Sequence, residues 1–287
     1  MKGVIVAAGY GTRFLPVTKT IPKEMLPLLN RPSIDFVMEE FADSGIDEIL
    51  IITSRRKKAL EDYCDRAPEL EAVFERDEAS QKLAQIVPTP ASVYFLRQRE
   101  MLGSGHAILQ ARSFVGGDPF VVAFPDDLHF GTPPLSKQLI DVYETTGCSV
   151  LATMYDPPDI HRYASLKLDE DGSHVLDMIE KAEPGTEPSR EASIGRYLYS
   201  AGYLDALARG WELHNGRGEY YHVYGLQEQM KERKVVRCRF TGTRLDTGAP
   251  DGYLKAILTH AAGIPEYREI LTEMLRDLLS EEPRSGN

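Results

Sequence analysis

Apolar residues in the first half of the chain fall into short unbroken runs that stop at glycine, proline or charge. Between them lie segments with apolar residues at helical spacing. Val4 to Ala8 is the first run, and because both of its faces are apolar it predicts a strand buried on both sides of a sheet. Pro32 opens a segment that carries Ile34, Val37, Met38 and Phe41 on one face and closes at Ser44-Gly45, an amphipathic helix with a glycine stop. Glu48 to Thr53 gives the second strand. Strand, helix and strand in that order, with both strands apolar, predict a parallel sheet covered on both faces. Ligands of such a sheet bind beyond the carboxyl ends of its strands.

The alternation continues along the chain. Arg55 to Arg66 reads as a charged amphipathic helix and Pro68 to Gln85 as another. Val93 to Leu96 is a third strand, and Leu102 to Ala107 a glycine turn entering a helix. Phe120 to Phe124 and Val150 to Tyr155 are the fourth and fifth strands. The alternation then loosens; Val175 to Glu180 is a further strand and Gly252 to Ala256 a helix start. Tyr267 to Leu279 is an amphipathic helix with Ile270, Leu271, Met274 and Leu278 on one side, expected to pack on the core, with a subunit contact as the alternative. The end of the chain, rich in serine, glycine and acidic residues, is expected to be disordered.

Composition removes several classes of function. A chain of 287 residues with net charge -11 buries a substantial core. It is not expected to favour nucleic acid or a membrane surface, so any nucleotide must be held by local basic loops. Cys64, Cys148 and Cys238 form no C-x-x-C pair, which supports neither a zinc site nor a disulfide framework and fits a reducing cytoplasm. The first strand begins almost at Met1, leaving no room for a signal peptide, and no apolar run is long enough to span a membrane.

The chemistry concentrates between Lys2 and Asn30. Gly9 and Gly11 follow the first strand, where backbone N–H groups can close on phosphate or base. Arg13, Lys19 and Lys23 follow in a segment that Pro16 and Pro22 keep out of helix. Spacing excludes two known phosphate binders. The dinucleotide fingerprint needs a third Gly or Ala where Phe14 stands, and the P-loop needs Gly-Lys-Ser/Thr where Gly11-Thr12-Arg13 stands. Elsewhere Gln98 precedes the second glycine turn; its amide can match the edge of a nucleobase such as a uracil imide, though taken alone such a glutamine more often decorates the surface. Pro125-Asp126-Asp127 ends the fourth strand, where a parallel sheet puts its chemistry; from spacing alone this acidic pair is equally a helix cap. Asp246 supplies a further carboxylate before a turn.

The string G-x-G-T-R…P-K-E-M-L-P resembles the signature of the sugar-1-phosphate nucleotidyltransferases. AAGYGTRFLPVTKTIPKEMLP is similar to the opening of that family's bacterial UTP:glucose-1-phosphate uridylyltransferase branch, and the likeness extends over nearly the whole chain. It implies an α/β, Rossmann-like, mostly parallel central sheet with helices on both faces, as in the nucleotidyltransferase and glycosyltransferase-A folds, plus a small sugar-side β region. One domain over residues 1–287 is expected, with a nucleotide-binding part at about 1–155, a sugar-binding part at about 156–260 and a C-terminal helix at about 265–280. The implied reaction is uridylyl transfer from UTP to glucose 1-phosphate with Mg2+ as cofactor, in a cytoplasmic homo-oligomer, dimer or tetramer.

The resemblance also implies roles. Ala7, Ala8, Gly9, Gly11, Thr12 and Glu24 lie along the nucleotide, with Gln98 and Gly103 by the base. Ala164, Glu180 and Lys181 face the sugar phosphate. Arg13, Lys23, Asp126, Lys181 and Asp246 carry catalysis, with Asp126 and Asp246 meeting at the metal and Asp127 orienting the turn. Five positions depart from the family: Ala164 for glycine, Ala182 for proline, Arg190 for asparagine, and Val223-Tyr224 for Thr-Asp in the Glu219–Tyr224 stretch. These departures keep open another nucleotide or hexose, such as dTTP. A non-catalytic nucleotide-binding paralogue is the third reading, opposed by the retention of every catalytic residue.

Overall fold

Strand β1 (Lys2–Val6) runs near the middle of a nine-stranded sheet. In the computed structural model, which describes residues 1–216 and 218–280, helices cover both faces of this strand, and Val4 and Ile5 are fully buried. The loop that follows makes three single 3₁₀ turns, Thr12–Phe14, Val17–Lys19 and Lys23–Met25, because Pro16 and Pro22 prevent a continuous helix. A short hairpin, β2 (Pro27–Leu28) and β3 (Arg31–Pro32), leads into α1 (Ser33–Asp43). The buried face of α1 includes Ile34, Val37, Met38 and Phe41, the residues that its spacing selects. β4 (Glu48–Thr53) then pairs parallel with β1.

Two helix expectations are corrected here. α2 spans Lys58–Cys64 and does not begin at Arg55. Lys57 turns inward instead: its N–H donates to the Ser54 carbonyl and its ammonium is buried on Glu24. The segment expected as one helix from Pro68 to Gln85 is two, α3 (Pro68–Arg76) and α4 (Ser80–Ala84). Between them Glu78 takes left-handed backbone at φ 51° and the Ala79 N–H closes on the Phe74 carbonyl. Such a helix-ending turn, here without glycine, leaves no trace in hydrophobic periodicity.

β5 (Ser92–Arg97) extends the parallel array beyond β4. α5 (Ser104–Leu109) and α6 (Arg112–Val115) return the chain to β6 (Phe120–Ala123), parallel to β1 on its other side. The carboxyl ends of β1, β5 and β6 therefore deliver Gly9, Gln98 and Asp126 to one edge of the sheet. β7 (Asp127–Phe130) leaves the sheet, so the acidic pair leads into a strand that Asp127 opens, and the helix-cap reading does not hold.

Beyond α7 (Leu135–Thr146) and β8 (Ser149–Tyr155) lie the strands β9 (Ala164–Leu168), β10 (Val175–Glu180) and β11 (Glu191–Tyr199). β11 joins the two halves, running antiparallel to β6, β8 and β9. α8 (Tyr203–Leu213) and α9 (Val223–Lys231) cover one face, and β12 (Val235–Arg239) pairs parallel with β8. β13 (Thr243–Asp246) is antiparallel to β7 in the register Leu245 to Leu128 and Asp246 to Asp127.

The chain closes with α10 (Pro250–Gly263) and α11 (Pro265–Ser280). The expectation that α11 packs on the core fails: it buries no residue, and Ile270, Met274 and Leu278 are each more than half exposed. An apolar stripe marks amphipathicity, not what covers it. The expected disordered end lies outside the described residues. No helix among the described residues is long and apolar enough to cross a membrane.

Candidate active site

The edge where β1, β5 and β6 end is a cavity of about 570 Å³. Arg13, Lys23, Asp126, Lys181 and Asp246 all line it. A neighbouring cavity of about 390 Å³ shares Gly9, Gly11, Thr12, Lys23 and Asp126 with the first and adds Ala8, Glu24, Gln98 and Gly103.

The β7–β13 ladder explains why two carboxylates far apart in sequence meet. Its register sets Asp246 opposite Asp127, one residue after Asp126. The Thr247 N–H then donates to the Asp126 carbonyl at 2.7 Å, fastening the following turn across the end of β6. Gly248 lies between the two acids: a Cβ there would stand 3.0 Å from an Asp126 oxygen and 3.1 Å from an Asp246 oxygen. Only glycine leaves that gap open. Asp127 is occupied as a brace, accepting from the Gly195 N–H at 2.8 Å and from both forks of Arg244 at 2.7 and 2.8 Å. Arg244 also reaches the Tyr163 hydroxyl and, at 3.5 Å, Asp246.

Charge is concentrated at this point. Lys23 donates to Asp126 at 2.5 Å. Burial opposes the charge on both, but the pair prevails: the Asp126 carboxyl lies below its ordinary value, and Lys23, with help from Glu24, lies above its own. Arg13 is anchored through one hydrogen bond to the Gly248 carbonyl, 3.2 Å away, which leaves most of its fork free. Lys181 follows the end of β10 in left-handed backbone, φ 49°, held by its N–H on the Tyr163 carbonyl.

Two residues expected along the nucleotide are bonded within the protein. Ala7 lines neither cavity: its side chain packs in the core, and its N–H donates to the Ile52 carbonyl. Glu24 borders the second cavity but is almost wholly buried, with Lys57 at 2.6 and 2.8 Å from its two oxygens. It acts as the counter-charge that seats Lys57 beneath the basic loop. Local sequence cannot separate a loop residue that faces a ligand from one whose partner is thirty residues away.

Gln98 is fixed at the other end. Its Nε2 donates to the Gly103 carbonyl at 3.1 Å and to His106 Nδ1 at 3.0 Å. A carbonyl only accepts, so the amide cannot be flipped, and Oε1 remains as the acceptor. Gly103 has φ 99° and a Cβ there would meet the Tyr220 carbonyl at 2.5 Å. This close approach lets the Leu102 carbonyl and the Gly105 N–H bond to the Tyr220 backbone at 2.7 and 2.8 Å. The 219–222 segment is thereby docked on the glycine turn and brings Glu219 and His222 to the cavity wall.

His222 carries no signal in the sequence beyond its place in the divergent Glu219–Tyr224 stretch. Its Nδ1 lies 2.9 Å from the Ser104 hydroxyl, its ring packs against Phe124 and Tyr197, and its Nε2 is buried with no partner. Burial lowers its pKa to about 4. The unfolded state, with a histidine pKa of about 6.5, binds a proton that the folded state refuses, so stability is full above that value and falls as pH drops toward about 4. The span corresponds to about 3 kcal/mol as an upper limit. Urea melts of the wild type at about pH 7 and about pH 4.5 are expected to differ by up to that much more than those of His222→Leu.

The other departures from the family mostly lie off the wall. Arg190 is exposed and pairs with Asp156, and Val223 and Tyr224 pack in and against the core. Ala164 does line the cavity, buried at the start of β9. Outside the cavity, Asp169, Asp171 and His174 bring ligand atoms within 4.8 Å of one another. Arg233 and neighbouring backbone N–H groups already occupy those carboxylates.

A family model described as nucleotidyl transferase matches residues 2–262. The chain belongs to the nucleotidyl transferase family. This nucleotidyl transferase is 38% identical over 284 residues to a UTP--glucose-1-phosphate uridylyltransferase of Staphylococcus epidermidis, covering 96% of this chain and 98% of the relative. Among solved structures it is similar to a UTP-bound UGPase from Acinetobacter baumannii, with TM-score 0.86, 31% identity, and coverage of 96% of this chain and 99% of that one. It is also similar to a UDP-glucose pyrophosphorylase complexed with UDP-glucose, with TM-score 0.78, 33% identity, and coverage of 90% and 97%.

Proposed function

We infer that this protein is a UTP--glucose-1-phosphate uridylyltransferase, forming UDP-glucose and pyrophosphate from UTP and glucose 1-phosphate. The observation that carries the inference is the pair Asp126 and Asp246 on either side of the Cβ-free gap at Gly248, facing Arg13, Lys23 and Lys181 in one cavity. Relatives that span almost the full chain bear the same activity in their names.

The donor set fits a hard divalent cation. Two carboxylates offer oxygen ligands, while neither cysteine nor a zinc-spaced histidine pair lines the cavity, and magnesium takes few protein oxygens and shares the rest of its shell with water and phosphate. When bound, Mg2+ supplies charge neutralisation on the triphosphate. Asp126 and Asp246 hold it. Lys23 binds the triphosphate, Lys181 aligns the sugar phosphate, and Glu180 meets sugar hydroxyls. The attacking phosphate oxygen is already mostly ionised, since a phosphate monoester has a second pKa of roughly 6, so no general base is needed. Attack at the α-phosphorus forms the new P–O bond as pyrophosphate leaves, and Arg13 stabilises the charge that develops there. Catalysis is positioning and electrostatics. The three unpaired cysteines agree with a cytoplasmic setting.

Base choice follows from Gln98. Its fixed Oε1 accepts from the N3–H of a uracil or thymine ring, whereas cytosine presents a lone pair at N3 and is repelled. Gln98→Leu is expected to reduce the preference for UTP over CTP by about tenfold or more, as loss of a buried polar reader does, measured as a ratio of kcat/KM. The direct test of the whole reading is pyrophosphate release across four nucleoside triphosphates and a panel of sugar 1-phosphates, with and without magnesium. Turnover should be highest with UTP and glucose 1-phosphate and require the metal.

A further inference from the structure

A glutamine amide reads a base by which of its two ends faces the ligand, and the ends differ little in shape. In the uridylyl-transfer reading Gln98 accepts from uracil, so whatever holds its nitrogen away from the base decides which base is accepted. We propose that His106 is a positioning residue for base choice: its Nδ1 takes the second N–H of the Gln98 amide and keeps Oε1 toward the nucleotide. The proposal rests on the uridylyl-transfer reading given above and deepens its account of base choice.

The protein holds this amide by its nitrogen alone. Gln98 Nε2 donates to the Gly103 carbonyl at 3.1 Å and lies 3.0 Å from His106 Nδ1, whereas Oε1 has no partner among the described residues. Oε1 is nevertheless not one of the closed-off side-chain atoms that lack a partner, and Gln98 lines the cavity of about 390 Å³. A free acceptor beside a cavity is available to a ligand's donor. The root of the side chain is fixed as well, because the Gln98 N–H donates to the Thr53 carbonyl at 2.8 Å.

The place of the ring's proton follows. An amide nitrogen donates and does not accept, so His106 Nδ1 is the bare nitrogen and Nε2 the protonated one. Gln110 Nε2 comes only within 3.5 Å of His106 Nε2, too long a contact to reverse that. Burial lowers the His106 pKa against the pull of Glu100, so the ring is uncharged at neutral pH and Nδ1 keeps its lone pair. Trp211 of α8 lies against the ring, with centroids 5.1 Å apart. A flipped amide would put its oxygen where the nitrogen now stands, 3.1 Å from the Gly103 carbonyl oxygen, and would offer the base an N–H that matches cytosine N3. With His106 present, two acceptors oppose the flip. Without it one does, and an amide hydrogen in a buried residue is left unpaired.

The test measures kcat/KM for UTP and for CTP in the wild type, His106→Leu, His106→Asn, Gln98→Leu and the double variant Gln98→Leu with His106→Leu. His106→Leu is expected to lower the preference for UTP over CTP by about three- to tenfold, the scale of one neutral hydrogen bond, with the KM for glucose 1-phosphate within about twofold. His106→Asn, whose Oδ1 falls close to the place of Nδ1, is expected to restore most of the preference although it fills less of the space against Trp211. In the Gln98→Leu background, His106→Leu is expected to change the preference no further, since the group it positions is gone. An unchanged preference in His106→Leu overturns the proposal. So does a His106→Asn that behaves like His106→Leu, which marks a packing role, and so does a further loss in the double variant.

Should a variant fail to fold, nitrogen-15 spectra of histidine in the wild-type protein decide. His106 must carry its proton on Nε2 at neutral pH, and a proton on Nδ1 sinks the idea. Wild-type and Gln98→Leu kinetics separate the two claims. If the wild type does not favour UTP over CTP, or if Gln98→Leu favours it as strongly, the base reading falls and His106's role with it. A preference lost in Gln98→Leu and kept in His106→Leu overturns only the latter.

Discussion

Asp246→Asn is expected to lower kcat by about a thousandfold or more, equivalent to about 4 kcal/mol of barrier, without unfolding the protein. The amide still offers an oxygen to the Gly248 N–H, which now donates to Asp246 Oδ1 at 2.9 Å, and the Asp127–Arg244 brace beside it is untouched. What is lost is one anionic ligand facing Asp126. Lys23 then stands beside a single carboxylate, too little negative charge to hold a divalent cation against water. The measurement is metal-dependent pyrophosphate release alongside a thermal melt. A variant that melts like the wild type and retains its turnover would show that Asp246 does not bind the metal, and the assignment of the Asp126–Asp246 pair would fall with it.

Arg13→Ala is expected to lower kcat by about a hundred- to a thousandfold, or about 3 to 4 kcal/mol, the scale found when a donor aimed at transition-state charge is removed. The KM for UTP is expected to change far less. Lys23, proposed to bind the triphosphate, stays in place, while Arg13 touches the rest of the protein through one hydrogen bond to Gly248 and is otherwise exposed. Arg13→Lys is expected to recover only part of the loss, because an ammonium cannot offer two parallel donors to a phosphoryl group. Steady-state kinetics in both substrates decide: a raised UTP KM with kcat unchanged would make Arg13 a binding residue only.

The register of one short ladder governs how much of this site could be read in advance. The basic loop was legible because its glycines, prolines and cations are consecutive. Lys23 and Arg13 lie where strand, turn and proline spacing put them, at the carboxyl end of β1. Asp126 was legible as the end of β6 and Asp246 as an acid before a turn. That they face each other depends on β13 lying against β7 with Asp246 opposite Asp127, a pairing between segments more than a hundred residues apart. Ala7 and Glu24 show the converse. Both belong to the same consecutive string, yet one faces the core and the other is held by Lys57.

The exposed stripe on α11 and the break at Glu78 follow the same division. Period and composition fix which residues of a segment share a face, because that depends only on backbone geometry within the segment. They do not fix what that face meets.

The sequence alone determined the strand and helix alternation of the first half, its parallel sheet and the glycine- and cation-rich loop at the end of β1, since each is set by neighbours in the chain. Only the tertiary structure decided that two acids share one gap at Gly248, that Gln98 is locked as an acceptor, and that His222 is packed beside the cavity with a polar atom unsatisfied. Each of these is a contact between distant segments, and its free energy depends on a register and a burial that no local pattern contains.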